Sequence, residues 1–214
     1  MPEIITIDAD HPDPALIARA AAILKQGGVI AYPTETFYGL GAQAGNAGAV
    51  ARIFAIKGRP FGNPIALIIG DDASLAELVE EAPRAAKNLL AAFWPGPLTL
   101  VFHASGRIIP PLTAGTGKIG IRVSSHPTAA ALATALSSPI TATSANVSGA
   151  RECSTAQEVI EHLGNQIDAL IDGGRTPGGA GSTVLDMTTD PPAMLREGAI
   201  PRALIYGVLG NRER

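Results

Sequence analysis

The chain has 214 residues, 46% hydrophobic and 16% charged, a balance that fits one compact or two-lobed globular unit and excludes disordered, collagenous and coiled-coil chains. Sixteen Lys and Arg against 19 Asp and Glu give a net charge of −3, so no overall basic field points to nucleic acid, and any polyanion must meet a local patch. The longest apolar run, Leu89–Trp94, is far shorter than the roughly 20 residues that span a bilayer; with no leader-like start and only Cys153 as a thiol, the expectation is a cytoplasmic protein without membrane contact or internal disulfide.

In chain order, Ile4–Ile7 reads as a strand. Asp13 as N-cap and Pro14 at the first helical position open a helix with Leu16, Ile17, Ala20, Ile23 and Leu24 on one face, ended by Gly27 and Gly28. The strand Val29–Tyr32 runs into a loop, YPTETFYGLG (Tyr32–Gly41), and a helix carrying Val50, Ile53 and Phe54 closes at Gly58. Pro64–Ile69 reads as a buried strand, Leu75–Phe93 as helix interrupted near Pro83, and Leu98–Phe102 as a strand after the forced turn Trp94-Pro95-Gly96-Pro97. Ile119–Val123 alternates as a strand, Thr128–Leu136 is an Ala-rich helix, and Ile140–Thr143 is strand-like. Ser154 with Gln157 gives a capping-box pattern for a helix to about Leu163, followed by strands at Ala169–Ile171, Thr183–Asp186 and Ala193–Arg196. The 24 Gly and 17 Pro cluster between these segments, as shaped loops require. Helix and strand alternate throughout with no repeat or linker, so the expected class is a single α/β domain, a sandwich around a twisted mixed β-sheet.

Several chemistries fail on their residues. Gly115-Thr116-Gly117-Lys118-Ile119 lacks the Gly at Leu112 and the hydroxyl at Ile119 that a phosphate-binding P-loop needs, and Gly173–Gly181 lacks the dinucleotide fingerprint. His11, His103, His126 and His162 have no neighbours at metal-ligand spacing, and no nucleophile elbow surrounds a serine. Cys153 alone is more simply an incidental thiol than a nucleophile.

Four polar clusters remain. Lys57 and Arg59 are two residues apart; on an extended chain both side chains point one way and can grip a polyphosphate, each contact worth on the order of 4 kcal/mol before desolvation. The alternative is a solvated helix C-terminus, where cations also belong. Ser144 and Asn146 repeat that spacing with neutral donors suited to phosphate or ribose, or form a turn with Gly149. Arg122, inside an apolar strand, either meets an anion such as a ligand carboxylate or faces solvent on an edge. The loop bearing Thr34, Glu35, Thr36 and Tyr38 is a specificity element or an exposed connection.

Taken in order, YPTETFYGLG, KGRPFGNP (Lys57–Pro64), FWPGPLTLVF (Phe93–Phe102), IGIRVSSHP (Ile119–Pro127), TSANVSG (Thr143–Gly149), GSTVLD (Gly181–Asp186) and LREGAI (Leu195–Ile200) resemble the YrdC-like family, whose members include threonylcarbamoyl-AMP synthases. The resemblance implies a sandwich with a concave, locally basic groove and a nucleotidyl transfer in which L-threonine, bicarbonate and ATP give threonylcarbamoyl-AMP and pyrophosphate, for threonylcarbamoyladenosine in tRNA. It implies Lys57 and Arg59 as catalytic groups on the triphosphate; Asn63, Ser144, Asn146 and Arg196 as further ATP contacts; and Thr36, Arg122 and Ser182 around threonine, with Arg122 on its carboxylate. Mg²⁺ is expected on the ATP phosphates and not in a protein cage, and downstream threonylcarbamoyl-transfer proteins are the implied partners, with possible tRNA contact. Ile68, Lys118 and Arg151-Glu152 depart from the family pattern: some relatives have a histidine at the first, a small hydroxyl residue is frequent at the second, and a Pro-rich stretch often replaces the third. The chain resembles the short form, without an added C-terminal domain. Two other readings stay open: a non-catalytic binder of structured RNA using the same groove, and a carbamoyl-transfer domain like those of hydrogenase maturation proteins.

Overall fold

A computed structural model describes residues 1–58 and 62–210. The strands are β1 (Glu3–Thr6), β2 (Ile30–Tyr32), β3 (Gly39–Gly41), β4 (Ala66–Ile69), β5 (Leu98–His103), β6 (Lys118–Val123), β7 (Ile140–Ser144), β8 (Ala169–Asp172), β9 (Thr183–Asp186) and β10 (Ala193–Arg196). The helices are α1 (Pro14–Lys25), α2 (Ala47–Lys57), α3 (Leu75–Leu78), α4 (Arg84–Phe93), α5 (Pro110–Thr113), α6 (Pro127–Leu136), α7 (Ala156–Leu163) and α8 (Arg202–Val208). Among the described residues the strands form one ten-stranded sheet in the order β1-β8-β2-β3-β7-β4-β6-β5-β9-β10. It is mixed: β4 pairs parallel with β6 and β5 parallel with β9, while β7 and β5 run antiparallel to β4 and β6.

Local chemistry sets the element ends. Asp13 accepts the Ala15 N–H at 2.8 Å and Pro14 occupies the first turn of α1, as the sequence indicates. Gly58 closes α2 in the left-handed conformation (φ 56°, ψ 31°), where another residue would cost about 1 kcal/mol. The expected capping box lies one residue later, at Thr155 and Glu158. The Glu158 carboxylate accepts the backbone N–H groups of both Ser154 and Thr155, a stronger acceptor than the Gln157 amide, which instead donates to Glu161 on the exposed face. The helical stretch Leu75–Phe93 divides because Val79 turns extended (φ −122°, ψ 153°) to pair with Ala104, and Pro83 then precedes α4. The YPTETFYGLG segment is not all loop: Gly39–Gly41 pairs with both β2 and β7 as β3.

Alternation along the strands divides their side chains between two faces. On one, Ala31, Leu40, Leu67, Ile69, Leu98, Leu100, Phe102, Ile119, Ile121, Val123 and Leu185 join residues of α2, α4 and α7 in a continuous core. On the other, Ile5, Ile30, Tyr32, Ile68, Ala169 and Ile171 pack under α1 and α6 through Ile17, Leu24, Leu132 and Leu136. Each such fully buried aliphatic side chain contributes about 1.5–3 kcal/mol. Further along that second face, Ala66, Thr99, Val101, Lys118, Gly120, Arg122, Val184 and Asp186 line a cavity instead of a helix layer.

Candidate active site

The cavity measures about 580 Å³, within the range of small-molecule sites. Its floor is the open half of the sheet. Lys118, Gly120 and Arg122 of β6 point into it at every second residue, beside Thr99 and Val101 of β5 and Val184 and Asp186 of β9. One wall is Thr34 and Thr36, Phe37, Tyr38 and Gly39, and another is Thr143 and Ser144 at the end of β7; Gly181, Ser182, Leu195 and Arg196 close the far side. Arg196 reaches the cavity through a β-bulge: Met194 pairs with Leu185 and Arg196 with Val184, leaving Leu195 as the extra residue.

Arg122 is buried on β6, an interior strand between β4 and β5, so the solvent-edge alternative is excluded. Its Nη1 lies 3.1 Å from Oε1 of Glu35, itself nearly buried. Among the described residues Glu35 Oε1 has no hydrogen-bond partner, so the pair is held by charge and the guanidinium faces the cavity. The second Glu35 oxygen accepts the Ser124 hydroxyl, and Ser124 Oγ accepts the His126 N–H at 3.2 Å. Burial lowers the His126 pKa, opposed by the nearby Glu35 and Asp10 carboxylates, which keeps Nδ1 free to accept the Thr128 N–H that starts α6.

Thr36 is buried at the cavity wall, its hydroxyl 3.1 Å from that of Thr34, which donates to the Phe37 carbonyl. The Thr36 carbonyl accepts the Gly178 N–H, and the Tyr38 phenol donates to the Gly174 carbonyl at 2.6 Å, so the Gly-rich 173–181 segment braces this wall. Burial pushes the Tyr32 and Tyr38 phenols well above their usual range, leaving both as neutral donors. Ser182 meets Thr99 Oγ1 and Arg196 Nη2, each at 3.0 Å, and Arg196 donates twice more to the Ser182 carbonyl. This knot requires glycine at 198, where a Cβ would sit 2.2 Å from the Gly181 carbonyl oxygen. Lys118 pairs with Asp186 at 2.9 Å; although burial opposes it, hydrogen bonds from Thr188 and Lys118 hold the Asp186 carboxyl below its ordinary pKa.

Of the expected phosphate pair, only Lys57 lies among the described residues. Lys57 ends α2, Gly58 turns left-handed, and Arg59 lies outside the described residues. Lys57 is not an exposed groove cation. Its ammonium is buried and donates to the carbonyls of Ser144 (2.6 Å) and Asn146 (2.8 Å) and to Asn146 Oδ1 (3.1 Å), while its own carbonyl accepts the Ser148 N–H. Lys57 thereby fastens the 144–148 turn to α2. Ser144 lines the cavity and donates to Asn146 Oδ1, whereas Asn146 is buried behind it, its amide spent on the Ala150 and Arg151 carbonyls. Asn63 is exposed and outside the cavity lining. Ile68 is packed in the α1–α6 core, Lys118 and Glu152 line the cavity, and Cys153 is buried with its thiol raised to about 11, first by burial. Glu35 and Asp186 were not singled out in the sequence as partners of cavity cations; the period-two pattern Lys118-x-Gly120-x-Arg122 was the available signal for that wall.

The Sua5/YciO/YrdC family model, described as "Telomere recombination", matches residues 22–198. The chain belongs to the Sua5/YciO/YrdC family. Among Sua5/YciO/YrdC relatives, threonylcarbamoyl-AMP synthase of Bacillus subtilis (strain 168) is 42% identical over 207 residues, covering 96% of this chain and 60% of that protein. The crystal structure of P. abyssi Sua5 complexed with L-threonine superposes with a TM-score of 0.94 at 40% identity, covering 97% of this chain and 61% of that one. E. coli YciO gives a TM-score of 0.86 at 32% identity, covering 94% and 98%. The chain thus spans about 60% of the length of the first two of these Sua5/YciO/YrdC proteins. No helix among the described residues is long and apolar enough to cross a membrane.

Proposed function

We propose that this chain forms L-threonylcarbamoyl-AMP and pyrophosphate from L-threonine, bicarbonate and ATP, supplying an intermediate for threonylcarbamoyladenosine in tRNA. The observation that carries this reading is Arg122: a buried guanidinium facing a cavity, given a charge partner by Glu35 Oε1, which has no hydrogen-bond partner among the described residues. Such a group is suited to bidentate capture of a carboxylate. The names of the 42% identical relative and of the threonine-bound structure agree with that ligand class.

In this reading the threonine carboxylate sits on Arg122, with the Thr36 and Ser182 hydroxyls beside it. The amine and bicarbonate condense to the carbamate with loss of water; a carbamate oxygen then attacks the α-phosphorus, and the bond to the pyrophosphate oxygen breaks. The carbamate is a weak, labile nucleophile, so alignment and charge neutralisation carry the rate and no acid–base dyad is required. Ser144 and Arg196 face the nucleotide; Lys57 and Asn146 contribute by shaping the Ser144 turn, and Lys118 adds a cation where the family pattern has a hydroxyl. Arg59 and Asn63 are assigned to the triphosphate from the resemblance alone. Among the described residues no three His, Cys, Asp or Glu are grouped to hold a metal, and Mg²⁺ is assigned to the ATP phosphates as part of the substrate. Pyrophosphate release should require ATP, threonine and bicarbonate together; release that ignores threonine would overturn this function.

A further inference from the structure

Glu35 is a nearly buried carboxylate that the reaction above does not use. Its Oε1 meets Arg122 Nη1 at 3.1 Å by charge alone, without a hydrogen bond, and its Oε2 is held by the Ser124 hydroxyl. The two partners lie two residues apart at the end of β6, while Glu35 comes from the segment between β2 and β3, so the contact ties two cavity walls together. Ser124 is itself fixed by the His126 N–H at the start of α6, which leaves the carboxylate little freedom to move. A guanidinium with several rotatable bonds on the wall of a cavity has many orientations; a charge anchored behind it selects one, and the absence of a hydrogen bond to that charge keeps its donors for the ligand.

We propose that Glu35 is the positioning residue for Arg122, aiming the guanidinium at the carboxylate of the amino-acid substrate without consuming its donors. This rests on the reading of Arg122 as the carboxylate-binding group. It makes a prediction opposite in sign to simple charge neutralisation. If Glu35 only offset a buried positive charge, removing it would leave a bare guanidinium that attracts a carboxylate more strongly. If Glu35 aims Arg122, removing it misplaces the donors and weakens capture.

The test compares Glu35→Gln, which keeps the shape and an acceptor for Ser124, with Glu35→Asp, which keeps the charge but withdraws it by one methylene. The expected result is a threonine KM raised about 10-fold or more in Glu35→Gln, an unchanged ATP KM, and an intermediate threonine KM in Glu35→Asp. An unchanged or lowered threonine KM in a folded Glu35→Gln overturns the proposal. In the ligand-free protein, the Arg122 guanidinium NMR signals, identified by their loss in Arg122→Lys, should exchange with water slowly in the wild type and faster in Glu35→Gln; equal exchange also overturns it. A wild-type protein that neither binds threonine nor releases pyrophosphate overturns the proposed function, and Glu35 is then judged by the proton-exchange comparison alone.

Discussion

One face of the sheet is built in two ways. Across β1, β8 and β2 it carries Ile5, Ile171, Ala169, Ile30 and Tyr32, sealed under α1 and α6. Across β6, β5 and β9 it carries Lys118, Arg122, Thr99 and Asp186 around a cavity. Ile68 and Arg122 are register partners on adjacent strands, and the boundary passes between them: the first packs against α6 residues, the second opens to the ligand space. Both halves keep the same period of two, so the difference lies in whether apolar side chains find a helix to bury against. Where they do, the face contributes stability; where they do not, it can hold charges whose partners are set at fixed distances.

That contrast can be broken first at Arg122. Arg122→Ala removes a buried charge partner and should cost about 2–5 kcal/mol in threonine use, roughly 30-fold to several thousand-fold in kcat/KM, with a smaller effect on the ATP KM. Steady-state kinetics in both substrates checks this; a larger effect on ATP would exchange the two subsites. On the sealed half, Leu132→Ala should lower stability by about 2–5 kcal/mol in denaturant melts while leaving threonine and ATP KM unchanged well below the melting temperature. Lys57→Ala sharpens the comparison because the residue belongs to the site by sequence and to the scaffold by contacts. Leaving the Ser144 and Asn146 oxygens without their ammonium should cost about 2–3 kcal/mol of stability, and a melt unchanged from wild type would return Lys57 to the role of an exposed ligand cation.

The smallest effect is expected at His126, where sheet gives way to α6. Its folded-state pKa is lowered, so the unfolded chain binds the proton more readily; the stability it contributes is present above its unfolded pKa of about 6.5 and is lost as pH falls below that value. His126→Asn keeps a cap acceptor and should flatten this part of the stability profile, measured as melting temperature against pH.

The strands of this sheet were legible because alternation is a local signal: Thr183–Asp186 and Ala193–Arg196 fall where the pattern places them. Short elements were not. β3 is Gly-Leu-Gly, without a β-branched residue, and exists because β2 and β7 pair with it on both sides. α8 lacks a side-chain cap at Pro201 and had no start signal of the usual kind. At the site, residue types and spacing identified Arg122, Ser144 and the loop bearing Thr36, and the family resemblance added Ser182; all four residues reach one cavity. They could not show that Lys57 turns inward, because the direction depends on Gly58 and on carbonyls nearly ninety residues downstream in the sequence. Nor could they match Glu35 to Arg122, since ion pairing across 87 positions leaves no periodic trace.

The bulge in β10 has a bearing on how such chains are aligned. Because Leu195 is the surplus residue and Arg196 is the one opposite Val184, a chain with one residue fewer at this spot would keep an arginine in the same place by ordinary pairing. Gaps here should be anchored on the partner strand; matching by simple count would set a guanidinium against Leu195, the surplus residue, and not against Arg196.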